Sequence, residues 1–319
     1  MYGFAGPYGK SKRVGSKSAK NLIHHLILLE EEQDLRIERG LLLSGARRIA
    51  VETLGSLQCF ASRISWTQTA LESLSAQCPV ILSRWDGRQR KWKTFSIAAR
   101  ARHINPTAIW ELCRLPQRQA TQHASDLIYA KVCNQQTLLR SLDPTLPATP
   151  NLQENSFSRI LRLESNYARF FWARYFSAAQ TDLFAREKRK ATHPLNVALN
   201  YGYGFLYHAL EWQCLASGLD PSVGIIHRLR RNRPNLVCDL IEQFRCCVEL
   251  TVIRSMDRMG DKKAMAAAFA SMLEEKWHYR DQRFRLRSIL RLVVESFVNS
   301  LSKRKRHQPF LLHARDACL

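Results

Sequence analysis

Three acidic residues and one histidine have side chains suited to metal binding in an otherwise strongly basic chain. Glu164 lies in SRILRLESNYARFF, His227 follows the turn-forming segment GLDPSVG, and Asp239 and Glu242 lie three residues apart in DLIEQFR. Carboxylate oxygens with a neutral imidazole suit Mg²⁺ or Mn²⁺, and two or three such ligands leave positions open for phosphate and water. Because such a cation and nearby Lys and Arg side chains neutralise phosphates, the set predicts phosphodiester chemistry.

The charge balance favours a polyanionic partner. The 319 residues contain 49 Lys and Arg against 27 Asp and Glu, a formal net charge of +22, so nucleic acid is the expected partner. The basic residues on either side of residues 194 to 227 are predicted to contact DNA phosphates. They are Lys188, Arg189, Lys190, Arg228, Arg230, Arg231 and Arg233. The alternative, a solvated cationic face, is usual for any one of them but does not explain the whole excess.

The composition also limits the class of protein. A hydrophobic fraction of 45% is enough for a folded core. The nine cysteines include no C-x-x-C pair and are odd in number, which argues against a zinc ribbon and a complete disulfide framework. Because no apolar run reaches the ~18 residues of a membrane span, we expect no membrane segment and a cytoplasmic location.

The elements that must position the acids are predicted from periodicity. Residues 22 to 98 contain short segments with partial period-two alternation and Gly punctuation, which indicate strands, with one helix at residues 67 to 75. After residue 106 apolar residues recur at helical intervals. The predicted fold class is α+β, with a small N-terminal β-rich domain followed by a larger all-α C-terminal catalytic domain.

The predicted domain boundaries follow from changes in composition. Residues 1–103 form the β-rich domain with a disordered basic start, 104–153 a helical join and linker, and 154–319 the helical catalytic domain. The linker is assigned to residues 142 to 153, where three prolines interrupt the helical pattern. Later helices are expected to begin near Phe157, Leu195, Leu236, Lys262 and Gln282.

Each candidate acid also has a purely structural interpretation. Glu164 lies beside the apolar stripe of its predicted helix, and its structural alternative is an ion pair with an arginine such as Arg162 or Arg169. The alternative for Asp239 and Glu242 is a pair of solvated acids on an amphipathic helix. Their apolar neighbours argue against solvation, and the three-residue spacing predicts that both carboxylates share one helical face.

His227 has a structural alternative as well, because a lone histidine is commonly a satisfied core residue. Its setting favours a functional role. The turn-forming segment before it and the cationic RLRRNRP segment after it predict an imidazole at the edge of a loop.

Three motifs in this part of the chain resemble a known family, the CRISPR adaptation integrases (the "Cas one" proteins). The motifs are P-x-N-x-x-L-N-Y-G-Y-x-x-L, G-L-D-P-x-x-G-x-x-H and D-L-x-E-x-[FY]-R. The matching residues are Pro194, Asn196, Leu199, Asn200, Tyr201, Gly202, Tyr203, Leu206, Gly218, Leu219, Asp220, Pro221, Gly224, His227, Asp239, Leu240, Glu242, Phe244 and Arg245. Glu164 lies in a segment similar to the family pattern L-E-[GS]-x-x-A-R-x-[FY]-[FW]. Three positions depart from the family pattern. His193 stands where an acidic residue is common, Glu249 stands where Asp is frequent, and Cys246 replaces the usual Pro.

The resemblance implies roles for the candidate residues. Glu164, His227 and Glu242 are expected to be catalytic and to hold Mg²⁺ or Mn²⁺, with Asp239 in a supporting role. The alternative role for His227 is protonation of the leaving group, and both roles stay open.

The resemblance also implies an activity and partners. The expected reaction joins the 3′-hydroxyl ends of a short double-stranded DNA fragment to the repeat ends of a CRISPR array, which is spacer acquisition in antiviral defence. The expected assembly is a homodimer, two copies of which flank a dimer of a small partner protein in a heterohexamer. Three alternatives stay open: a transposon-borne integrase relative, a stand-alone metal-dependent nuclease of branched DNA, and a catalytically silent DNA-binding module.

Overall fold

The first part of the chain is β-rich, as predicted. The computed structural model describes residues 24–28, 32–60, 63–77, 80–86, 91–97, 105–148, 156–183, 185–188, 191–227, 233–302 and 306–318. Its strands up to residue 97 are β1 (His24–Leu28), β2 (Glu32–Glu38), β3 (Leu41–Ser44), β4 (Arg47–Ala50), β5 (Leu54–Phe60), β6 (Arg63–Trp66), β7 (Val80–Asp86) and β8 (Lys91–Ile97). Helix α1 (Gln68–Gln77) lies between β6 and β7, which confirms the helix predicted there.

The strands form two mixed sheets. One has the order β1-β5-β7-β8 and the other β4-β3-β2-β6. β5 pairs in parallel with β1 and β7, whereas β8 runs antiparallel to β7. β2 and β3 form a hairpin whose turn residues Arg39 and Gly40 have positive φ angles of 49° and 78°, the geometry that two-residue hairpin turns require.

Period-two burial gives this part its own core. Leu35 is fully buried between the exposed residues Asp34 and Arg36, because successive side chains of a strand point to opposite faces. It packs with Leu57 and with Leu74 from α1 in a hydrophobic cluster distinct from that of the later helices. The predicted domain boundaries themselves stay a prediction.

The remainder of the chain is mostly helical. The helices are α2 (Pro106–Cys113), α3 (Gln117–Leu142), α4 (Phe157–Ala178), α5 (Pro194–Ala216), α6 (Asn235–Leu240), α7 (Arg245–Arg254), α8 (Lys262–Glu274) and α9 (Leu286–Ser302). Four of the predicted helix starts are confirmed to within one residue. The side chain of His193 caps α5 by accepting from Leu195 N at 3.2 Å, a role that the acid common at this position in the family would also fill.

The helix predicted to begin near Gln282 is wrong. Strands β9 (Lys276–Tyr279) and β10 (Gln282–Arg285) form an antiparallel hairpin, and α9 begins after it, so the C-terminal part is not purely α-helical. The turn residues Arg280 and Asp281 have φ angles of 51° and 61°, which closes a two-residue turn. The alternation in these strands covers only four residues each, too few to outweigh the helical pattern on either side.

Helix α3 runs through the centre of the helical part. It shares one hydrophobic cluster with α2 and with the helices from α4 to α9. Asn134 in α3 donates to the carbonyl oxygens of Gln243 and Phe310 and accepts from Leu312 N. Because these bonds join α3 to chain segments more than a hundred residues away, α3 is held firmly in place. Within the described parts of the chain, no helix has the length and apolar character needed to cross a membrane.

Candidate active site

The two predicted metal-ligating glutamates meet at a lysine. Glu164 lies on α4, and Glu242 lies in a short 3₁₀ turn, Ile241–Phe244, directly after α6. Lys131 on α3 donates from Nζ to Glu164 Oε1 and, at 2.7 Å, to Glu242 Oε2. Glu164 is therefore paired, but with Lys131 and not with Arg162 or Arg169. The two carboxylates converge on one cationic group although their positions are 78 residues apart in sequence (242 − 164).

Glu242 is a buried acid with two cationic partners. Its side chain is 11% exposed, and Arg245 Nη1 donates to Oε1 at 3.1 Å. Burial raises the pKa of Glu242, but Arg245 and Lys131 outweigh that effect, with a smaller contribution from His227, and the pKa is about 2. Glu242 is therefore an anion at neutral pH, and the solvated interpretation is wrong.

Asp239 organises the loop that carries His227. It is fully buried, and its carboxylate accepts from the backbone N–H groups of Ile225, Ile226 and His227. The same carboxylate lies 2.6 Å from His227 Nδ1. In a neutral imidazole this contact places the proton on Nδ1 and the lone pair on Nε2. Asp239 thus orients the ring, and the side chain of His227 is 31% exposed.

Gly224 allows this loop to approach Asp239. A Cβ atom at this position would lie 2.7 Å from Asn235 Cβ, 2.8 Å from His227 O and 2.9 Å from Asp239 Oδ2. Any larger residue would push the loop away from the carboxylate. The second glycine of the GLDPSVG segment, Gly224, is therefore required by the close packing around His227.

The prediction that Asp239 and Glu242 act from one helical face is only partly correct. Both are buried, but Asp239 contacts the 225–227 loop whereas Glu242 contacts α3 and Arg245. The chain changes from α-helix to 3₁₀ turn between them. The two acids therefore have different hydrogen-bond partners. They are linked indirectly, because His227, which contacts Asp239, also lowers the pKa of Glu242.

Buried polar side chains around Glu249 contact the arginine that pairs with Glu242. Glu249 is fully buried, and its Oε1 accepts from Tyr203 Oη at 2.6 Å and Gln135 Nε2 at 2.8 Å. Burial raises the pKa of Glu249 in spite of these donors. Arg245 lies over the Tyr203 ring, 4.5 Å from its centroid. Tyr203 thus holds both Glu249 and the arginine that contacts Glu242.

The predicted DNA-binding residues are only partly described. Lys188 is exposed as a whole residue, but its ammonium group is partly desolvated. This desolvation, with Arg245 and Lys131, lowers the pKa of Lys188, while Glu242 and Glu164 oppose that effect. The ammonium group thus interacts with the same charges as the acid pair. Arg233 is half-buried and lies against Cys238 and Tyr207. The other predicted contacts lie outside the described residues: Arg189, Lys190, Arg228, Arg230 and Arg231.

Two asparagines of the recognised motif hold the Lys188 segment in place. Arg186 donates to Asn196 Oδ1 at 2.9 Å and to Asn200 Oδ1 at 2.7 Å, both on α5. Its guanidinium also lies 5.5 Å from the ring centroids of Trp172 and Tyr203. These contacts fix the backbone two residues before Lys188, so the motif has a structural role beside the acid pair.

The chemistry of the donors fits a divalent cation in part. Glu164 and Glu242 already share one cation, the Lys131 ammonium group. Among the described residues, however, no three His, Cys, Asp or Glu side chains form a metal-binding group. The two carboxylates are the pair that would hold Mg²⁺ or Mn²⁺. His227, whose Nδ1 contacts Asp239 and whose charge lowers the pKa of Glu242, is the candidate for a third donor through Nε2.

Lys131 is the site residue that the sequence analysis missed. It lies on the buried face of α3, with Leu127 and Ile128 one turn before it and Gln135 one turn after it. A lysine flanked by apolar residues at helical spacing is a signal that it needs a buried anionic partner. The identity of that partner is not visible in the sequence.

Comparison with known proteins identifies the family of this chain. The family model described as CRISPR associated protein Cas1 matches residues 26–274. A CRISPR-associated endonuclease Cas1 of Pyrobaculum aerophilum is 39% identical over 121 residues, which are 37% of this chain and 39% of that relative. The match thus spans less than half the length of that curated relative.

Two solved structures share the fold. A casposase bound to its integration product has a TM-score of 0.70 at 19% identity and covers 89% of this chain and 92% of its own. A Cas6-RT-Cas1–Cas2 complex has a TM-score of 0.68 at 17% identity and covers 95% of this chain and 37% of its own. These two likenesses show the fold, and the match of the family model over residues 26–274, most of the chain, shows that the chain belongs to the CRISPR-associated Cas1 family.

Proposed function

We propose that this chain is a metal-dependent DNA integrase and endonuclease that inserts short foreign-DNA fragments into a CRISPR array. The observation that carries the proposal is the convergence of Glu164 and Glu242 on one cation, Lys131. The ring of His227, which Asp239 orients, would supply a third donor. Bound Mg²⁺ or Mn²⁺ would polarise the phosphoryl oxygen and neutralise charge on the attacking and leaving oxygens.

The chain's own residues then have distinct tasks. The 3′-hydroxyl of the fragment forms a new bond to phosphorus, the phosphorus bond to the leaving 3′-oxygen breaks, and no side chain becomes covalently attached. Glu164 and Glu242 hold the cation, and the low pKa of Glu242 keeps it anionic. His227 presents Nε2, either as a further ligand or, when protonated, as the acid that protonates the leaving oxygen. Asp239 keeps that nitrogen directed away from itself.

The partners follow from the family and from the charge. The net charge of +22 favours double-stranded DNA, with Lys188 at the edge of the site and the other basic residues around it. The similar fold in a Cas6-RT-Cas1–Cas2 complex supports a Cas2-type partner protein. The homodimer that would join this partner is part of the proposal. Two such homodimers flanking a partner dimer would form the expected heterohexamer.

A strand-transfer assay with labelled 3′-OH fragments tests the proposal. Wild-type protein with Mn²⁺ should produce a labelled strand joined to the repeat, and Glu164→Ala should not. Glu295→Ala, at an exposed position of α9, serves as the matched control. Lys131 keeps Glu242 as a partner in Glu164→Ala, so the fold should persist by circular dichroism. A folded Glu164→Ala protein with wild-type strand transfer would refute the site.

A transposon-borne integrase is the second candidate, because the casposase shares the fold. Both candidates use the same strand transfer but differ in their targets. A plasmid with a repeat array and a matched plasmid without one separate them: a CRISPR integrase should join fragments at the repeat ends only. Cleavage without joined product would instead favour the stand-alone nuclease of branched DNA.

A further inference from the structure

Lys131 occupies the position between the two glutamates that a divalent cation would need. Its side chain is 8% exposed, and its ammonium group contacts both carboxylates, whereas Arg245 contacts Glu242 alone of the two. Two carboxylates this close repel each other unless a cation lies between them. An ammonium group and a divalent ion cannot share this position, so binding of one requires the other to leave.

A second acceptor for Lys131, Glu249 on α7, contacts α3 one turn further along. Gln135, one turn after Lys131 on α3, donates to Glu249 Oε1. The other oxygen of this fully buried carboxylate, Oε2, has no hydrogen-bond partner among the described residues. Lys131 is already near enough to Glu249 to favour its charged form. A buried carboxylate oxygen without a donor is costly and needs an explanation.

We propose that Lys131 is a positioning residue that alternates between two acceptors. It holds Glu164 and Glu242 together before the metal binds and moves to Glu249 Oε2 when the metal enters. The inference rests on the proposed function of the same site. Lysine suits this role because its ammonium group sits on a flexible four-carbon stem, unlike the rigid guanidinium of Arg245.

The proposal predicts opposite effects of two substitutions on metal affinity. Lys131→Met removes the competing cation, so Mn²⁺ should bind more tightly, on the order of tenfold. Glu249→Gln keeps the shape but removes the second acceptor, so Mn²⁺ should bind more weakly by a similar factor. In the double variant the Glu249 change should have no further effect on Mn²⁺ affinity, because no ammonium group is left to donate to residue 249.

Isothermal titration with Mn²⁺, on the full chain without DNA, measures these affinities. A merely structural role for Lys131 would weaken metal binding on its removal, so tighter binding by Lys131→Met supports the proposal. Lys263→Met, at the exposed start of α8, is the matched control and should bind as the wild type does. Circular dichroism with a chelator present checks the fold of each variant.

Two results would overturn the proposal: unchanged or weaker Mn²⁺ binding by folded Lys131→Met, or wild-type binding by Glu249→Gln. If Lys131→Met does not fold, Glu249→Gln alone decides. Glu164→Gln separates this inference from the proposed function. If Glu164→Gln binds Mn²⁺ as the wild type does, the metal site itself is wrong. If Glu164→Gln loses Mn²⁺ binding but Lys131→Met does not bind Mn²⁺ more tightly, only the role of Lys131 is refuted.

Discussion

Replacing Glu242 with glutamine removes the charge that Lys131 and Arg245 share while it preserves the shape of the side chain. Although burial raises the pKa of Glu242, its two cationic partners bring the value from the ordinary 4.5 to about 2. At about 1.4 kcal/mol per pH unit, this difference corresponds to about 3 kcal/mol of unfolding free energy. Breaking buried ion pairs costs about 3–5 kcal/mol. We expect Glu242→Gln to be less stable than the wild type by about 3 kcal/mol near pH 7 and inactive in strand transfer.

This loss of stability has a defined pH dependence. Because the folded-state pKa lies below that of the unfolded chain, the stabilisation is complete above pH 4.5 and is lost as the pH falls toward 2. Glu242→Gln has no such group, so the two unfolding free energies converge on acidification. The difference should shrink by about 1 kcal/mol over the first pH unit below the ordinary value.

Urea unfolding followed by circular dichroism, with a chelator present, measures this difference at neutral and acidic pH. Glu295→Gln, at an exposed position of α9, is the control, and its unfolding free energy should stay close to that of the wild type at every pH. A Glu242→Gln protein as stable as the wild type at neutral pH, or a difference that does not change with pH, would refute the electrostatic account of this ion-pair cluster.

Three further predictions concern the loop and the DNA surface. Asp239→Asn disturbs the ring orientation of His227 but removes no ligand, so strand transfer should fall about 10- to 100-fold, and added Mn²⁺ should not restore it; full recovery at high Mn²⁺ would make Asp239 a ligand. Gly224→Ala should destabilise the protein by about 1–3 kcal/mol in urea unfolding and lower strand transfer, because its Cβ would lie 2.8 Å from His227 O; wild-type stability would contradict the close packing. Reversing the charges of Arg230 and Arg231 should flatten the dependence of log affinity for duplex DNA on log salt, by about 0.9 per lost phosphate contact, without changing sequence preference; an unchanged slope would place the DNA elsewhere.

Most of the fold and the identity of the acids were predictable from the sequence. Helices α4, α5, α6 and α8 begin within one residue of their predicted starts, because helical periodicity and proline or capping residues are local signals. The family motifs identified Glu164, His227, Asp239 and Glu242 as one set. The β9–β10 hairpin was missed because its strands of four residues each are too short for a periodicity signal.

The partners of those acids were decided only by the tertiary structure. Lys131 lies 33 residues before Glu164 in sequence, and nothing local to either residue identifies the other. The same holds for Glu249 with Gln135, which are 114 residues apart. A sequence pattern shows that a polar side chain falls on a buried face, but its partner depends on where helices cross. The sequence thus predicted which residues carry the chemistry, and the packing of α3 against α4 and the 3₁₀ turn decided which cation lies between the two glutamates.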